Sequence, residues 1–261
     1  MKKLLAILLA LVTVLSLCAC SKSGSKDDSD LDYIKKNGKL VIGYTVYAPM
    51  NYTDDDGNFV GFDTELATAV CEKLGVTPEF VEIDWNTRYT ELAAKSIDCV
   101  WNGMTLTQEI QDQTACTQAY AKNAQVVVMK KDAAYTSTAD LVGKTVTCEA
   151  GSAGQKTIEA DENLSQAELV TKSVQTDCLM EVKAGTADAA ILDLTLASAM
   201  IGEGTDYADL VIVDELNAEE YGVAFRKGSD VAAAVDAIFD ELKADGTMAD
   251  LAQKYGLTLA D

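Results

Sequence analysis

The chain predicts an α/β protein of two lobes, and three observations predict it. Short apolar strands alternate with segments of helical period from residue 39 onward. The alternation restarts after Ala124. Two further segments of helical period then follow a last strand and end the chain.

In the first run, residues 39–44 (KLVIGY) read as a strand, and Asp56-Gly57 as a turn between extended pieces at 51–53 and 58–62. The acidic run Asp54-Asp55-Asp56-Gly57 lacks the alternating ligands and closing glutamate of a calcium loop, so it reads as a solvated turn. Asp63 opens a helix in which Leu66, Val70 and Leu74 share a face, and Gly75 ends it. Residues 79–83 form a strand, 87–95 a helix and 98–101 another strand. In the second run strands fall at 125–129, 144–148, 168–170, 189–192, 210–213 and 221–226, with helices at 155–160, 176–184 and 194–202. In the tail, Val231, Val235, Ile238, Phe239 and Leu242 share one face. Gly246 ends that helix, and Thr247 caps a last one lined by Met248, Leu251 and Tyr255.

The chain has 261 residues, 42 acidic against 21 basic, and a net charge of −21. So acidic a surface is repelled by phosphate backbones, which excludes nucleic acid as a partner. There is no histidine, which removes the commonest general base and metal ligand and with them a histidine-activated hydrolase triad. No cofactor or metal site is expected. Cys71, Cys99, Cys116, Cys148 and Cys178 are widely spaced and odd in number, and read as buried thiols. A Cys148–Cys178 bridge is the one pairing left open.

The first residues read as an export signal. Lys2 and Lys3 precede an apolar run from Leu4 to Leu17 that is too short to span a bilayer, which takes about 20 residues. Leu17-Cys18-Ala19-Cys20 resembles the lipobox of bacterial lipoproteins. That resemblance implies a signal over residues 1–19, removal of it, and lipidation of Cys20 as an anchor to the outer face of the cell membrane. Residues 20–31 follow as a polar, flexible tether, whose first ten residues after Cys20 reach roughly 17 Å.

An ordered set of words matches a family: GYTVYAPM at 43–50, VGFD at 60–63, GMTLT at 103–107, AGS at 150–152, AGTADA at 184–189, YGVAFRKG at 221–228 and KADGT at 243–247. Together they resemble the polar amino-acid (family 3) extracellular solute-binding proteins of ABC importers. The resemblance implies a periplasmic-binding-protein-like fold of type II with two hinge crossover strands, at 125–129 and 221–225. One lobe would hold residues 32–123 plus 225–261, the other 124–224. It also implies a monomer that carries a small amino acid to an ABC permease in the membrane and performs no chemistry on it. Two other readings stay open, a cyclohexadienyl-dehydratase-like enzyme and a sensory ligand-binding module on the same fold.

A zwitterion buried in a cleft needs a carboxylate for its ammonium, donors for its carboxylate and walls for its side chain. Asp193, directly after the strand at 189–192, matches the family's ammonium-binding aspartate; its competing use is to cap the next helix. Ser152 and Ala153 open a helix whose N-terminus can receive a carboxylate. Tyr47 and Trp85 match the aromatic walls, and Asn102, Gly103 and Thr105 match residues that contact the ligand. Glu149 matches a position facing the ligand side chain, where an acid favours a cationic or amide group. The family's carboxylate-forking arginine is absent, since Ile110 stands in its place; Arg88 is the candidate substitute.

Overall fold

The computed structural model describes residues 29–261. The signal segment and Cys20 lie outside the described residues. The chain opens with helix α1 (Asp30–Asn37), capped by the Ser29 side chain on the N–H of Asp32, and Gly38 ends it in the left-handed region. The tether expected over 20–31 therefore stops short, because Ser29, Asp30 and Leu31 belong to this helix and its cap. Asp230 accepts from Ser29 Oγ at 2.5 Å and Leu31 N–H at 3.0 Å, and Arg226 Nε donates to Asp30 at 3.0 Å.

Strands β1 (Lys39–Tyr44), β2 (Tyr52–Thr53) and β3 (Phe59–Val60) precede helix α2 (Phe62–Leu74). Phe62, Leu66, Ala67, Val70 and Cys71 form the buried stripe of α2. Then come β4 (Thr77–Glu82), a 3-10 turn at Trp85–Thr87, α3 (Arg88–Ala94), β5 (Cys99–Thr105), α4 (Gln108–Gln113) and β6 (Ala115–Cys116). The second run is β7 (Ala121–Lys130), β8 (Thr145–Glu149), α5 (Ala153–Ala160), β9 (Glu168–Lys172), α6 (Gln175–Ala184), β10 (Ala189–Asp193) and α7 (Leu194–Met200). Strand β11 (Leu210–Phe225) leads to α8 (Val231–Ala244) and α9 (Thr247–Tyr255).

Eight strands lie in the order β4-β1-β5-β11-β7-β10-β8-β9. The two ends of this sheet repeat one plan. On one side β4, β1 and β5 are parallel, and β5 meets β11 antiparallel. On the other β9, β8 and β10 are parallel, and β10 meets β7 antiparallel. Between them β7 and β11 pair antiparallel along nearly their whole length. Each half thus turns the carboxyl ends of its parallel strands toward a shared crevice, where open α/β sheets hold ligands.

Three expectations are corrected here. The strands expected at 210–213 and 221–226 are one strand, β11, kept continuous by two register shifts against β7, at Ile212/Asp214 and at Glu215/Asn217. The crossing between halves also sits elsewhere on both strands. Residues 125–128 already pair with β10, and 221–225 with β5, so the segments that pass between the halves are Ala121 to Gln125 against Asn217 to Tyr221. At the last helix, Gly246 is the cap residue with a φ of 89°, and Thr247 makes no side-chain capping bond.

Apolar burial runs across the division between halves. One cluster joins Phe62, Leu66, Trp101, Tyr120 and Phe239 of the first half to Leu179, Leu192 and Leu196 of the second, with the Trp101 and Phe239 rings edge to face at 5.7 Å. A second packs Val127, Val146, Ile158, Leu164 and Ile191 under the far half. All five described cysteines are free thiols, four of them buried, and Cys148 and Cys178 are not bridged.

Candidate functional site

A cleft lies between the two halves. All ten residues expected at a site line it: Tyr47, Trp85, Arg88, Asn102, Gly103 and Thr105 from the first half, and Glu149, Ser152, Ala153 and Asp193 from the second. Tyr89, Thr107, Ile110, Lys156 and Gln175 complete much of its wall.

Much of the first-half wall is built of groups that bond one another. The Asn102 carboxamide, buried in the middle of β5, accepts from Thr45 N–H (3.0 Å) and Oγ1 (2.8 Å). It donates to Thr45 O (2.8 Å) and Asn51 Oδ1 (2.7 Å). Its side chain fixes the β1–β2 loop, so only its surface faces the cleft. The Gly103 N–H donates to buried Asp63 at 2.6 Å, and Tyr120 OH to the same oxygen at 3.0 Å. Burial lifts the Asp63 carboxyl to about 7, with these two donors pulling it back. Gly103 has a φ of 56°, and a Cβ there would stand 2.8 Å from the Tyr47 ring and 3.1 Å from that of Tyr221. The Tyr47 and Tyr221 hydroxyls hydrogen-bond at 2.6 Å beneath it. Thr105 Oγ1 donates away from the cleft floor, to Glu219 at 2.8 Å.

Arg88 is buried, with 8% of its surface exposed, and does not project into solvent from the helix. Its guanidinium lies 4.9 Å from the Trp85 ring centre and 4.6 Å from that of Tyr89. Nη1 donates to Trp85 O at 2.6 Å, and Nη2 crosses the cleft to Gly151 O at 3.2 Å. Nε is buried and has no protein partner. Gly151 permits this approach: its φ is 70°, and a Cβ would lie 2.5 Å from Asn86 Oδ1.

The second-half wall carries the unbalanced charge. Asp193 ends β10 and occupies the position before α7, yet makes no capping bond to that helix. Its carboxylate instead accepts from Asn123 Nδ2 (2.7 Å), Gln125 Nε2 (2.6 Å) and the Gln175 side-chain amide, while its own N–H donates to Gln175 Oε1 at 3.0 Å. Burial, then the negative charge of Glu219, push its carboxyl well above the usual range against these donors. Glu149 is 4% exposed, and its Oε1 is buried without a partner. Burial, then the charge of Asp193, lift Glu149 to about 8, with Arg88 opposing. Among the described residues no lysine or arginine forms an ion pair with Asp193, Glu149 or Glu219. Ser152 caps α5, accepting from Gln155 N–H at 3.2 Å and donating to Glu149 O at 2.7 Å. Its hydroxyl hydrogen is therefore engaged in the protein, and the donors left at that helix start are backbone ones.

Asn123, Gln125, Gln175, Glu219 and Tyr221 were not singled out from sequence. Asn123 and Gln125 do carry a signal, two amides at strand period in front of an otherwise apolar run. The arrangement is a buried, acid-rich crevice with aromatic walls on one side and a helix N-terminus on the other.

The family model for bacterial extracellular solute-binding proteins, family 3, matches residues 40–258. The chain belongs to that family. It is 34% identical to the arginine-binding extracellular protein ArtP of Bacillus subtilis, over 98% of each chain. Among solved structures it resembles an ABC uptake transporter substrate-binding protein from Streptococcus pneumoniae with bound histidine, at 30% identity and a TM-score of 0.81, covering 88% of this chain and 97% of that one. It also resembles the ancestral amino acid-binding protein AncCDT-1, a precursor of cyclohexadienyl dehydratase, at 31% identity and a TM-score of 0.79, covering 87% and 99%. These likenesses establish the two-lobed binding-protein fold. Among the described residues no helix is long and apolar enough to cross a membrane.

Proposed function

We propose that the chain is the lipid-anchored capture component of an ABC importer, taking up an amino acid with a cationic or amide side chain. The observation that carries this reading is Asp193: a buried carboxylate on the cleft wall, held by three amides and paired with no protein cation. An ammonium group supplies the charge that the protein withholds. The ligand carboxylate meets the start of α5 at Ser152 and Ala153 together with Arg88, which replaces the arginine missing at Ile110. Tyr47 and Trp85 enclose the side chain, and the unpartnered oxygen of Glu149 receives its distal donors. The name of the arginine-binding relative ArtP supports that choice.

Capture proceeds by closure. The half that holds β4, β1 and β5 moves as one lobe and the half that holds β9, β8 and β10 as the other, bending where Ala121 to Gln125 runs beside Asn217 to Tyr221. A ligand that touches both walls favours the shut form by its differential affinity. Cys20 holds the mature chain at the membrane, and the closed form hands its unaltered ligand to the permease.

A thermal-shift screen of the purified protein against the common amino acids tests this. A ligand at 100 times its Kd adds about 2.7 kcal/mol. Stabilisation by arginine, lysine, histidine or glutamine, and none by glutamate, is the expected pattern. Stabilisation by acidic amino acids alone overturns the assignment of Glu149. Turnover of prephenate or arogenate would favour the dehydratase reading instead.

A further inference from the structure

The crossing segments hold a second acid beside Asp193. Asn123 Nδ2 donates to Asp193 at 2.7 Å and to Glu219 at 2.6 Å, and Gln125 Nε2 donates to the same two carboxyls at 2.6 and 2.9 Å. Each amide NH2 has two hydrogens, and each places one on either acid. The Asn123 oxygen is held by Thr195 N–H (3.0 Å) and Oγ1 (2.9 Å), which fixes which way the amide points. Glu219 takes a further bond from Thr105 Oγ1 at 2.8 Å. Two carboxyls so placed, without a cation, do not both hold full charge cheaply in a protein interior.

We infer that Asp193, set beside Glu219 by the two shared amides and facing no cation among the described residues, keeps a proton in the empty cleft and releases it when a ligand ammonium is seated on it. The proton leaves to solvent as the ammonium charge arrives, so the net charge of the seat is conserved. The groups facing the pair reinforce this balance. Glu149 from β8 adds negative charge, Tyr47 and Tyr221 are neutral phenols held high by burial, then by the Asp193 charge, and Arg88 from α3 faces Glu149. Glu109 and Lys156 stand at the exposed rim, 3.8 Å apart. Glu219 is thus a positioning residue, acting on the ligand through Asp193. This inference rests on the assignment of Asp193 to an ammonium, and makes capture weaken as the medium turns acidic.

The test uses the purified protein and L-arginine, by calorimetry between about pH 6 and pH 9 in two buffers of different ionisation heat. Wild type is expected to release up to about one proton on binding, its Kd tightening by at most about tenfold per pH unit. The isosteric Glu219→Gln should release fewer protons than wild type and show a flatter Kd profile. A wild-type Kd independent of pH overturns the inference, as does full proton release in Glu219→Gln. A ligand-free arm separates the two readings: the protonated-carboxyl infrared band near pH 7 should weaken in Glu219→Gln. If that band weakens but L-arginine does not bind at any pH, the protonated Asp193 stands and the arginine assignment alone fails. An unchanged band sinks the inference.

Discussion

The two halves of the sheet share a plan and differ in chemistry. In each, three parallel strands aim their carboxyl ends at the cleft and an antiparallel strand closes the inner edge. On the first half the polar groups there bond each other: Asn102 to Thr45 and Asn51, Gly103 to Asp63. On the second, Asp193 and Glu149 are buried without an ion-pair partner among the described residues, and Glu149 keeps an oxygen unbonded. One wall is mostly a bonded surface against which a ligand packs, broken by the unbonded Arg88 Nε and Tyr89 hydroxyl. The other is an incomplete electrostatic arrangement that a ligand completes. Identical topology therefore settles where a site lies, and the residue-level balance of charge settles what enters it.

Breaking the second wall should have the largest effect. Asp193→Ala removes the ammonium partner, and truncating one side of a buried charge pair costs about 2–5 kcal/mol, so calorimetry with L-arginine should show at least about thirtyfold weaker binding. A Kd within threefold of wild type would erase the distinction between the walls. Next, Glu149→Gln addresses the empty protein. A carboxyl raised to about 8 in the fold is neutral there at pH 7 and charged in the unfolded chain. The folded state then binds the extra proton, so this contribution to stability is full at low pH and is lost as pH rises through about 8. Urea unfolding at about pH 5 and pH 9 should show Glu149→Gln losing roughly 1–3 kcal/mol less across that interval than wild type. An identical loss in both proteins would place the titration elsewhere. Smallest is the probe of the mostly bonded wall: Arg88→Ala should weaken L-arginine at least about tenfold, or 1.4 kcal/mol. Its Nε and remaining hydrogens face a ligand carboxylate only if the guanidinium does more than tie Trp85 to Gly151, and an unchanged Kd would reduce it to that tie.

How much of this was legible in the sequence depends on the range of the forces involved. Helix α2 could be read because Leu66 and Val70 repeat at its own period, and β7 because its core run of valines and Met129 is buried on both faces. The continuity of β11 could not, since residues 214–220 are partly or fully exposed where the strand crosses between halves and show no clean alternation. At the site, Asp193 was visible from its place at a strand end. Glu219 was not, because its role comes from β7 setting Asn123 and Gln125 between it and β10, a juxtaposition of strands distant in the chain. Ser152 was visible as a helix start, but whether its hydroxyl was free depended on Glu149 O lying within reach.

Both ends of the described chain belong to the same half. Helix α1 is fastened by Arg226 and Asp230, and near the other end Leu259 bridges Ala121, with Ala260 N–H on Tyr120 O at 3.0 Å. The far half is joined to the first through β7 and β11 and holds neither end of the described residues. A pull applied at either end is thus borne by the first body alone, while the acid-bearing one is left to swing without mechanical load.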